Sequence, residues 1–410
     1  SELSQKAAEE VVNKLARETS VKLDSSGNVH LKVNGETVEL SKLSPALQQS
    51  FSELISQRVV NDGRFVNATT IEYKGEKLDL TKLDASTPLG QSILTQASEK
   101  LAQATIASGV QEVDMKVQIN PLTGNEIKIQ VGEQTLEINR ASLRSQNNGA
   151  IIDAKIGQAI SELESARQLQ EKISQVKSDS RASSDLIQAV KSGAFTEFME
   201  QLGLDPTRQL STPEAMVLGE AVVQAMGEFK EGAGLRENQV ESIKASLQGN
   251  IIALTTGAGK SLIYTEVFGA RYLNSRVRQD GTREFSGELI VAKEGDVQLF
   301  ADPSKFEYQV ARAMGLEFVN GTELYQSQNY GALAQAYNDP SKVVVIDLAS
   351  RGHLQHISMD LKANQNNDSL YTALNSVTTR GVDEADVGAC LLYTSPSPRD
   401  LSTPRMPTAA

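Results

Sequence analysis

The first part of the chain alternates between strand-like and helix-like patterns of hydrophobic positions. Val21 to Leu40 alternates apolar and polar residues, and Ser26-Gly27-Asn28 and Asn34-Gly35 are typical hairpin turns. Apolar residues recur at helical spacing in Ser41 to Val60, and also in Glu2 to Arg17. The pattern therefore predicts a β-hairpin flanked by two helices.

The same order of turn, strand and helix recurs along the chain. The segment Val33–Leu43 (VNGETVELSKL) matches Tyr73–Leu83 (YKGEKLDLTKL) and, more loosely, Val131–Leu143 (VGEQTLEINRASL). The copies are unequally spaced, whereas a regular solenoid keeps its period. We predict three diverged α+β hairpin-helix repeats in residues 1–150. Their role is open between a protein-interaction domain and a purely structural one.

Residues 151–230 form a predicted helical linker region. Ile151 to Val176 carries an apolar stripe, and its polar face has charges of both signs, which favours packing on a neighbouring element over a membrane surface. The polar segment Ser178–Ser184 (SDSRASS) is the best candidate for a linker. Helical patterns follow in Asp185 to Leu202 and in Thr212 to Phe229.

From about Glu231 onwards, strand and helix patterns alternate, which is typical of a parallel sheet with crossover helices. Within this part, Ile251 to Leu254 is an apolar run followed by the Gly-rich turn Thr255 to Gly259. Lys260 and Ser261 come next and open a helical pattern. A strand, a glycine loop, a Lys-Ser pair and a helix in this order predict a phosphate-binding loop.

The loop has the composition that phosphate binding requires. Glycines let the backbone approach an anion closely because they have no Cβ. The N–H groups of the loop and the positive end of the helix dipole then point towards the anion. The residues predicted to bind the nucleotide through this loop are Thr256, Gly257, Ala258, Gly259, Lys260 and Ser261. The longer form of the motif has a glycine where Leu254 stands, so the match is to the shorter TGxGK[ST] variant. An ordinary strand-to-helix turn is the alternative interpretation.

A glutamine, Gln239, lies on the predicted helix before the loop. A Gln followed by TGxGK[ST] resembles the superfamily-2 helicase-type ATPases, and Leu235 to Ala389 looks like the first motor lobe of DEAD-box helicases and of the SecA family of preprotein translocase ATPases. The resemblance implies an α/β, RecA-like parallel-sheet nucleotide-binding lobe in residues 231–389. It also implies that ATP and Mg²⁺ are bound.

The resemblance assigns a role to each residue of the site. Gln239 reads the adenine, Lys260 contacts the outer phosphates and takes part in catalysis, and Ser261 binds Mg²⁺. In the segment Val382–Asp386 (VDEAD), Asp383 holds Mg²⁺ through water and Glu384 polarises the attacking water.

The strand before this acidic pair is poorly predicted, because Val382 is its only apolar residue. Asp347 ends a much more apolar strand in Lys342 to Leu354 and is a rival magnesium ligand, but no Glu follows it. The choice between Asp383 and Asp347 stays open at this point.

Three functions are compatible with these motifs. The first is a SecA-like motor lobe that couples ATP hydrolysis to polypeptide translocation. This is favoured by the formal net charge of −12 and by the absence of the Thr-Pro-Gly-Arg loop that is usual in DEAD-box proteins. The second is a DEAD-box-like nucleic-acid helicase lobe. The third is an interaction protein that works through its repeats and has a regulatory nucleotide site.

Composition adds few constraints. No apolar run approaches the ~20 residues of a membrane-spanning helix, so no span is predicted. The only cysteine, Cys390, excludes an intramolecular disulfide, which suits a reducing compartment. We therefore expect a cytoplasmic location, with peripheral membrane association as a second option. His353 and His356 have no ligand partners at metal-binding spacing, so they are interpreted as ordinary surface or capping residues.

The end of the chain has an unusual composition. Cys390 to Asp400 (CLLYTSPSPRD) resembles the translation of a transposase sequencing adapter, and Leu401 to Ala410 looks like a barcode and a further adapter segment. A natural Ser/Pro-rich tail is the alternative. We predict that residues 390–410 are adapter-derived and that the gene is cut off near Ala389. The second motor lobe, with its arginine finger, would then be missing, so this fragment should bind ATP and hydrolyse it poorly.

Overall fold

The chain folds into two compact units. The computed structural model describes residues 18–33, 35–42, 44–113, 116–122, 124–247, 252–253, 259–363, 368–384 and 389–394. The first unit comprises Ser1–Gln111 and Asn120–Glu164, and the second comprises Glu112–Ile119 and Ser165–Ala410. Residues 151–230, predicted as one region, are therefore divided between the two units. In these described ranges, no helix is both long enough and apolar enough to cross a membrane.

The first two repeats share one architecture. Each is a three-stranded antiparallel sheet followed by a short 3-10 helix and an α-helix. The first repeat contains β1 (Thr19–Leu23), β2 (Val29–Val33), β3 (Glu36–Val38), a 3-10 helix (Leu40–Lys42) and α1 (Pro45–Asp62). The second contains β4 (Arg64–Asn67), β5 (Thr70–Tyr73), β6 (Glu76–Asp79), a 3-10 helix (Leu80–Lys82) and α2 (Pro88–Gly109). The helix expected in Glu2 to Arg17 lies outside the described residues.

The third repeat is related but modified. It follows a separate two-stranded sheet and has a two-stranded hairpin of its own. The elements are β7 (Val110–Val113), β8 (Lys116–Ile119), β9 (Glu126–Val131), β10 (Gln134–Asn139), α3 (Arg140–Arg144) and α4 (Gly149–Ser178). The predicted order of hairpin and helix is thus present in all three copies.

The turn glycines explain why the third copy matches more loosely. In the second repeat, Lys74 and Gly75 form a two-residue turn with φ values of 49° and 81°, as a type I′ hairpin requires. Gly35 has the same position in the first repeat, with φ of 86°. Gly132 instead comes first in its turn, with φ of 59°. The glycine is therefore offset by one residue in the third copy.

The repeats contribute to a single hydrophobic core. Buried side chains from all three pack into one cluster, including Val21, Ile71, Leu78, Leu136 and Ile152. Backbone contacts also join the copies. The amide of Asp84 donates to the carbonyl oxygen of Gly27 at 2.9 Å, and Asn148 Nδ2 donates to the carbonyl oxygen of Leu83 at 2.9 Å. The modules are thus parts of one domain core and not a stacked array.

The second unit opens with helices, and here the predicted linker is wrong. The elements are the end of α4, α5 (Ser180–Ser192), α6 (Phe195–Gln201), α7 (Thr212–Met226) and α8 (Glu237–Leu247). Only Asp179 separates α4 from α5. Its carboxylate accepts hydrogen bonds from the amides of Arg181 and Ala182, both at 2.9 Å. Ser and Asp are common in linkers and also at helix N-caps, and here capping determines the structure.

The rest of the second unit has α/β character. A six-stranded sheet has the order β11-β16-β15-β12-β14-β13, and its strands β15, β12, β14 and β13 are parallel. The strands are β11 (Ile252–Ala253), β12 (Gly287–Val291), β13 (Glu317–Asn320), β14 (Lys342–Asp347), β15 (Thr379–Glu384) and β16 (Ala389–Thr394). The helices are α9 (Lys260–Asn274), α10 (Glu294–Ala301), α11 (Phe306–Ala313), α12 (Gly321–Gln326), α13 (Tyr330–Asn338), α14 (Leu348–Ala363) and α15 (Asp368–Asn375).

Strand β16 includes the first residues of the tail that we predict to be adapter-derived. It pairs antiparallel with both β15 and β11, so β11 points in the same direction as the four parallel strands. Backbone hydrogen bonds between strands use no side-chain atoms, so they form with many sequences. The pairing therefore does not test the origin of residues 390–410, which stays a prediction.

The structure of the first unit predicts different costs for two glycine substitutions. Both Gly27 and Gly75 have positive φ, but a Cβ at Gly27 would overlap the carbonyl oxygen of Lys82, whereas nothing lies within 4 Å of a Cβ at Gly75. Gly75→Ala should cost about 1–2 kcal/mol through backbone strain. Gly27→Ala should cost a further ~1–3 kcal/mol through the steric overlap. Urea denaturation of both variants would measure the loss in free energy of unfolding. Equal losses in the two variants would contradict a steric overlap at Gly27.

Candidate functional site

The described residues of the predicted site lie near the start of α9 and at the end of β15. Gln239, Gly259, Lys260 and Ser261 are described with their side chains, and Asp383 and Glu384 by their backbone alone. The loop residues Thr256, Gly257 and Ala258 lie outside the described residues. The geometry of the site therefore comes from α8, from the first turn of α9 and from the elements that pack against them.

Gly259 has a backbone conformation that favours glycine. It is the N-cap of α9, with φ of 73° and ψ of 44°, in the left-handed region. A Cβ at this position would lie 2.5 Å from Nε2 of Gln239 and 3.0 Å from a guanidinium nitrogen of Arg236. The positive φ and the close approach of Gln239 and Arg236 therefore both disfavour a side chain at this position.

Gln239 connects α8 to the phosphate-loop segment. Its side chain is buried, with only 2% of its surface exposed. Oε1 accepts a hydrogen bond from the amide of Arg236 at 2.9 Å, and Nε2 donates to the carbonyl oxygen of Gly259 at 3.3 Å. The structure thus brings together two residues that the sequence motif placed at separate ends of one site.

Lys260 and Ser261 form the first turn of α9. This helix has 15 residues, and the amides of its first turn have no partners within the helix. Together with the helix dipole, these amides favour an anion at the N-terminus. Lys260 is the first residue of this helix and carries a positively charged side chain. The arrangement suits a phosphate group.

A carboxylate that no motif indicated lies against this turn. Ser261 Oγ donates a hydrogen bond to Oε1 of Glu307 at 2.5 Å. Glu307 belongs to the first turn of α11 and is half-buried. Because it lies 46 residues from Ser261 in the sequence, only the packing of α11 against α9 could reveal the contact.

The predicted acid pair ends β15 at the carboxyl edge of the sheet. Asp383 and Glu384 are the last two residues of the strand. The hydroxyl of Tyr264, on α9, donates to the carbonyl oxygen of Val382 at 2.9 Å, which holds α9 next to this strand end. Since β11 and β15 point in the same direction, the carboxyl end of β11 and the acid pair lie at the same edge of the sheet.

Asp347, the rival magnesium ligand, is engaged in structural hydrogen bonds. Its Oδ1 accepts from the amide of Ser350 at 3.0 Å, and its Oδ2 accepts from the hydroxyl of Thr322 at 2.9 Å. Burial alone would raise the pKa of Asp347, but the hydrogen bonds from Ser350 and Thr322 outweigh burial and lower it. This carboxylate therefore caps the N-terminus of α14.

Buried charges account for the position of β15, whose sequence is mostly polar. Glu288 on β12 is fully buried and accepts hydrogen bonds from Arg380 Nε at 2.5 Å, from Arg351 Nε at 2.6 Å and from the Tyr337 hydroxyl at 2.6 Å. Burial, and then the charge of Glu288, raise the pKa of the Tyr337 hydroxyl, which therefore remains protonated. Arg380 thus attaches β15 to β12 where apolar contacts are few.

Similarity to known proteins gives no support for the predicted site. Comparisons with protein-family models, with curated proteins and with solved structures find no match to this chain. Within the part of the chain that the structure describes, no group of three or more His, Cys, Asp or Glu residues could hold a metal ion.

A buried carboxyl lies further along α9. Glu266 is 2% exposed, and its Oε1 has no hydrogen-bond partner among the described residues. It packs against α7 at Gly219, where a Cβ would overlap the carboxylate. Burial, with a smaller effect from the charge of Glu220, raises the pKa of Glu266 to about 8. The carboxyl is therefore mainly neutral at pH 7.

This pKa predicts a pH-dependent stability. The folded state binds the Glu266 proton more tightly than the unfolded state, whose pKa is 4.5, so the free energy of unfolding should fall as pH rises from 4.5 to about 8. The fall should be on the order of 5 kcal/mol, at about 1.4 kcal/mol per pH unit. Glu266→Gln should flatten this dependence in urea denaturation at a series of pH values. The exposed Glu197→Gln is the matched control, and an unchanged slope in Glu266→Gln would contradict the assignment.

Proposed function

We propose that this chain is the ATP-binding first lobe of a SecA-like motor ATPase, in which ATP hydrolysis drives polypeptide translocation. The observation that carries the proposal is the hydrogen bond between Gln239 and Gly259. This hydrogen bond joins Gln239, which is predicted to recognise the adenine base, to Gly259 at the end of the predicted phosphate loop. One nucleotide could contact both only if these segments lie side by side.

The sheet supports the finer fold proposal, a RecA-like lobe. Four parallel strands are connected through helices, and β11 points in the same direction. In open α/β sheets of this kind, ligands bind at the carboxyl edge of the strands. The start of α9 and the end of β15 are at that edge, as a nucleotide site of this class requires.

The donors at this edge are suited to Mg²⁺. Mg²⁺ prefers oxygen ligands, keeps several water molecules and is usually bound by one or two protein carboxylates together with substrate phosphates. Ser261 would supply a hydroxyl ligand, and Asp383 would hold the ion through water. Bound Mg²⁺ would neutralise charge that develops on the phosphates during transfer.

The remaining roles belong to the chain's own side chains. Lys260 would contact the outer phosphates, and the amides at the start of α9 would bind phosphate oxygens. Glu384 would orient the attacking water and accept its proton. In a motor of this class, an arginine from a second lobe also takes part in hydrolysis.

Polypeptide is the proposed substrate class because the chain has a formal net charge of −12. Proteins that bind nucleic acid use clustered Lys and Arg side chains, and their affinity falls steeply with salt. A salt-sensitive affinity for single-stranded DNA or RNA would favour the helicase alternative. The cytoplasmic location and any peripheral association with a membrane are parts of the same proposal.

Nucleotide titration tests the proposal. A fluorescent ATP analogue with Mg²⁺ should bind the wild-type chain saturably, and Lys260→Ala should weaken binding at least about tenfold, equivalent to ~1.4 kcal/mol. Gln239→Ala should reduce the preference for ATP over GTP, because it removes the group that reads adenine. Lys230→Ala, which removes a Lys that is 73% exposed, is the matched control and should change neither quantity.

Two results would contradict this function. One is the absence of saturable binding at millimolar nucleotide in the wild-type chain. The other is binding that Lys260→Ala and Gln239→Ala leave unchanged, since the nucleotide would then occupy a different site. In either case the repeats of the first unit would become the main candidates for the working part of the protein.

A further inference from the structure

The contact between Ser261 and Glu307 adds a residue that the phosphate-loop motif does not contain. Ser261 Oγ donates to Glu307 Oε1 at 2.5 Å, a short distance that is typical of a hydrogen bond from a hydroxyl to a carboxylate. Both side chains are half-buried. The contact is therefore partly shielded from solvent and screened less than a surface contact would be.

The packing of α11 fixes the place of Glu307. The three neighbouring residues that face the core, Tyr308, Val310 and Ala311, are buried, and Val310 and Ala311 are fully so. The helix therefore cannot rotate without exposing apolar surface. Glu307 is on its first turn and is held facing the start of α9.

The direction of the hydrogen bond makes it compatible with metal binding. A serine hydroxyl has one proton and two lone pairs, whereas an ionised carboxylate only accepts. When the proton of Ser261 is directed at Glu307, the lone pairs remain available to a cation. The carboxylate also places a negative charge close to any cation that the hydroxyl binds.

We infer that Glu307 is a positioning residue of the Mg²⁺–nucleotide site, where it orients the Ser261 hydroxyl and adds negative charge near the metal. The inference rests on the proposed function, because it concerns the metal that accompanies the nucleotide. Glu307 acts through Ser261 and through its charge, and no contact between Glu307 and the nucleotide is required.

The opposite role would be a block, in which Glu307 occupies Ser261 and has to leave before the nucleotide binds. A block would require Glu307 to use the lone pairs that the metal needs. The observed bond uses the proton instead, so the hydrogen bond and the metal can be present together. The two roles predict opposite results when the charge of Glu307 is removed. The Mg²⁺ requirement rises if Glu307 positions Ser261, and it falls if Glu307 blocks the site.

The test measures the affinity for a fluorescent ATP analogue across a Mg²⁺ titration and in EDTA. Glu307→Gln should raise, by about three- to tenfold, the Mg²⁺ concentration at which half of the Mg²⁺-dependent gain in affinity is reached. In EDTA its affinity should be equal to that of the wild type or tighter, because a negative charge near the phosphates is removed. A loss caused by misfolding would lower affinity under both conditions.

Three further variants sharpen the result. Ser261→Ala should shift the Mg²⁺ requirement in the same direction, and adding Glu307→Gln to it should cause less further change than in the wild type, because the two residues act through one contact. Glu307→Asp keeps the negative charge, so its Mg²⁺ requirement should lie between those of the wild type and Glu307→Gln. Glu294→Gln, an exposed carboxyl change on the first turn of α10, should have no effect.

The outcomes separate this inference from the proposed function. If Lys260→Ala abolishes binding but Glu307→Gln leaves the Mg²⁺ requirement unchanged, the role of Glu307 is wrong and the nucleotide site stands. If Glu307→Gln tightens binding and lowers the Mg²⁺ requirement, Glu307 blocks the site and the inference is also wrong. If the wild-type chain binds no nucleotide, the proposed function fails and the inference fails with it.

Discussion

The candidate site depends on the backbone of Gly259. Its left-handed conformation begins α9, and the space that a Cβ would need is already occupied by the Gln239 amide. A larger residue would have to displace Gln239 and adopt a strained φ at the same time. Gly259 therefore defines where the first turn of α9, with Lys260 and Ser261, begins beside Gln239.

Buried polar groups hold the elements around the site. Tyr264 attaches α9 to the backbone of β15, and Arg380 attaches β15 to Glu288 on β12. Buried charges are costly unless they are well paired, and losing one partner leaves an uncompensated charge. Glu266 differs, because protonation of its carboxyl group lowers the cost of burying it. Its Oε1 has no hydrogen-bond partner among the described residues.

Local signals in the sequence predicted much of the fold, and tertiary packing determined the remainder. The hairpin turns at Gly35 and Gly75 were predictable because a positive φ favours glycine. The start of α7 was predictable from its capping box at Ser211 and Glu214. Asp179 was misinterpreted because linkers and caps share composition. The contact of Glu307 with Ser261 could not be predicted, since no local pattern connects α11 to α9.

Binding of a nucleotide at the start of α9 can be measured by hydrogen–deuterium exchange of the whole chain, with and without Mg²⁺ and ATP. We expect slower exchange in peptides that cover Gly259 to Tyr264 and the end of β15, and no such change in the Lys260→Ala variant. Unchanged exchange at the start of α9, or protection confined to the hairpin repeats of the first unit, would contradict it.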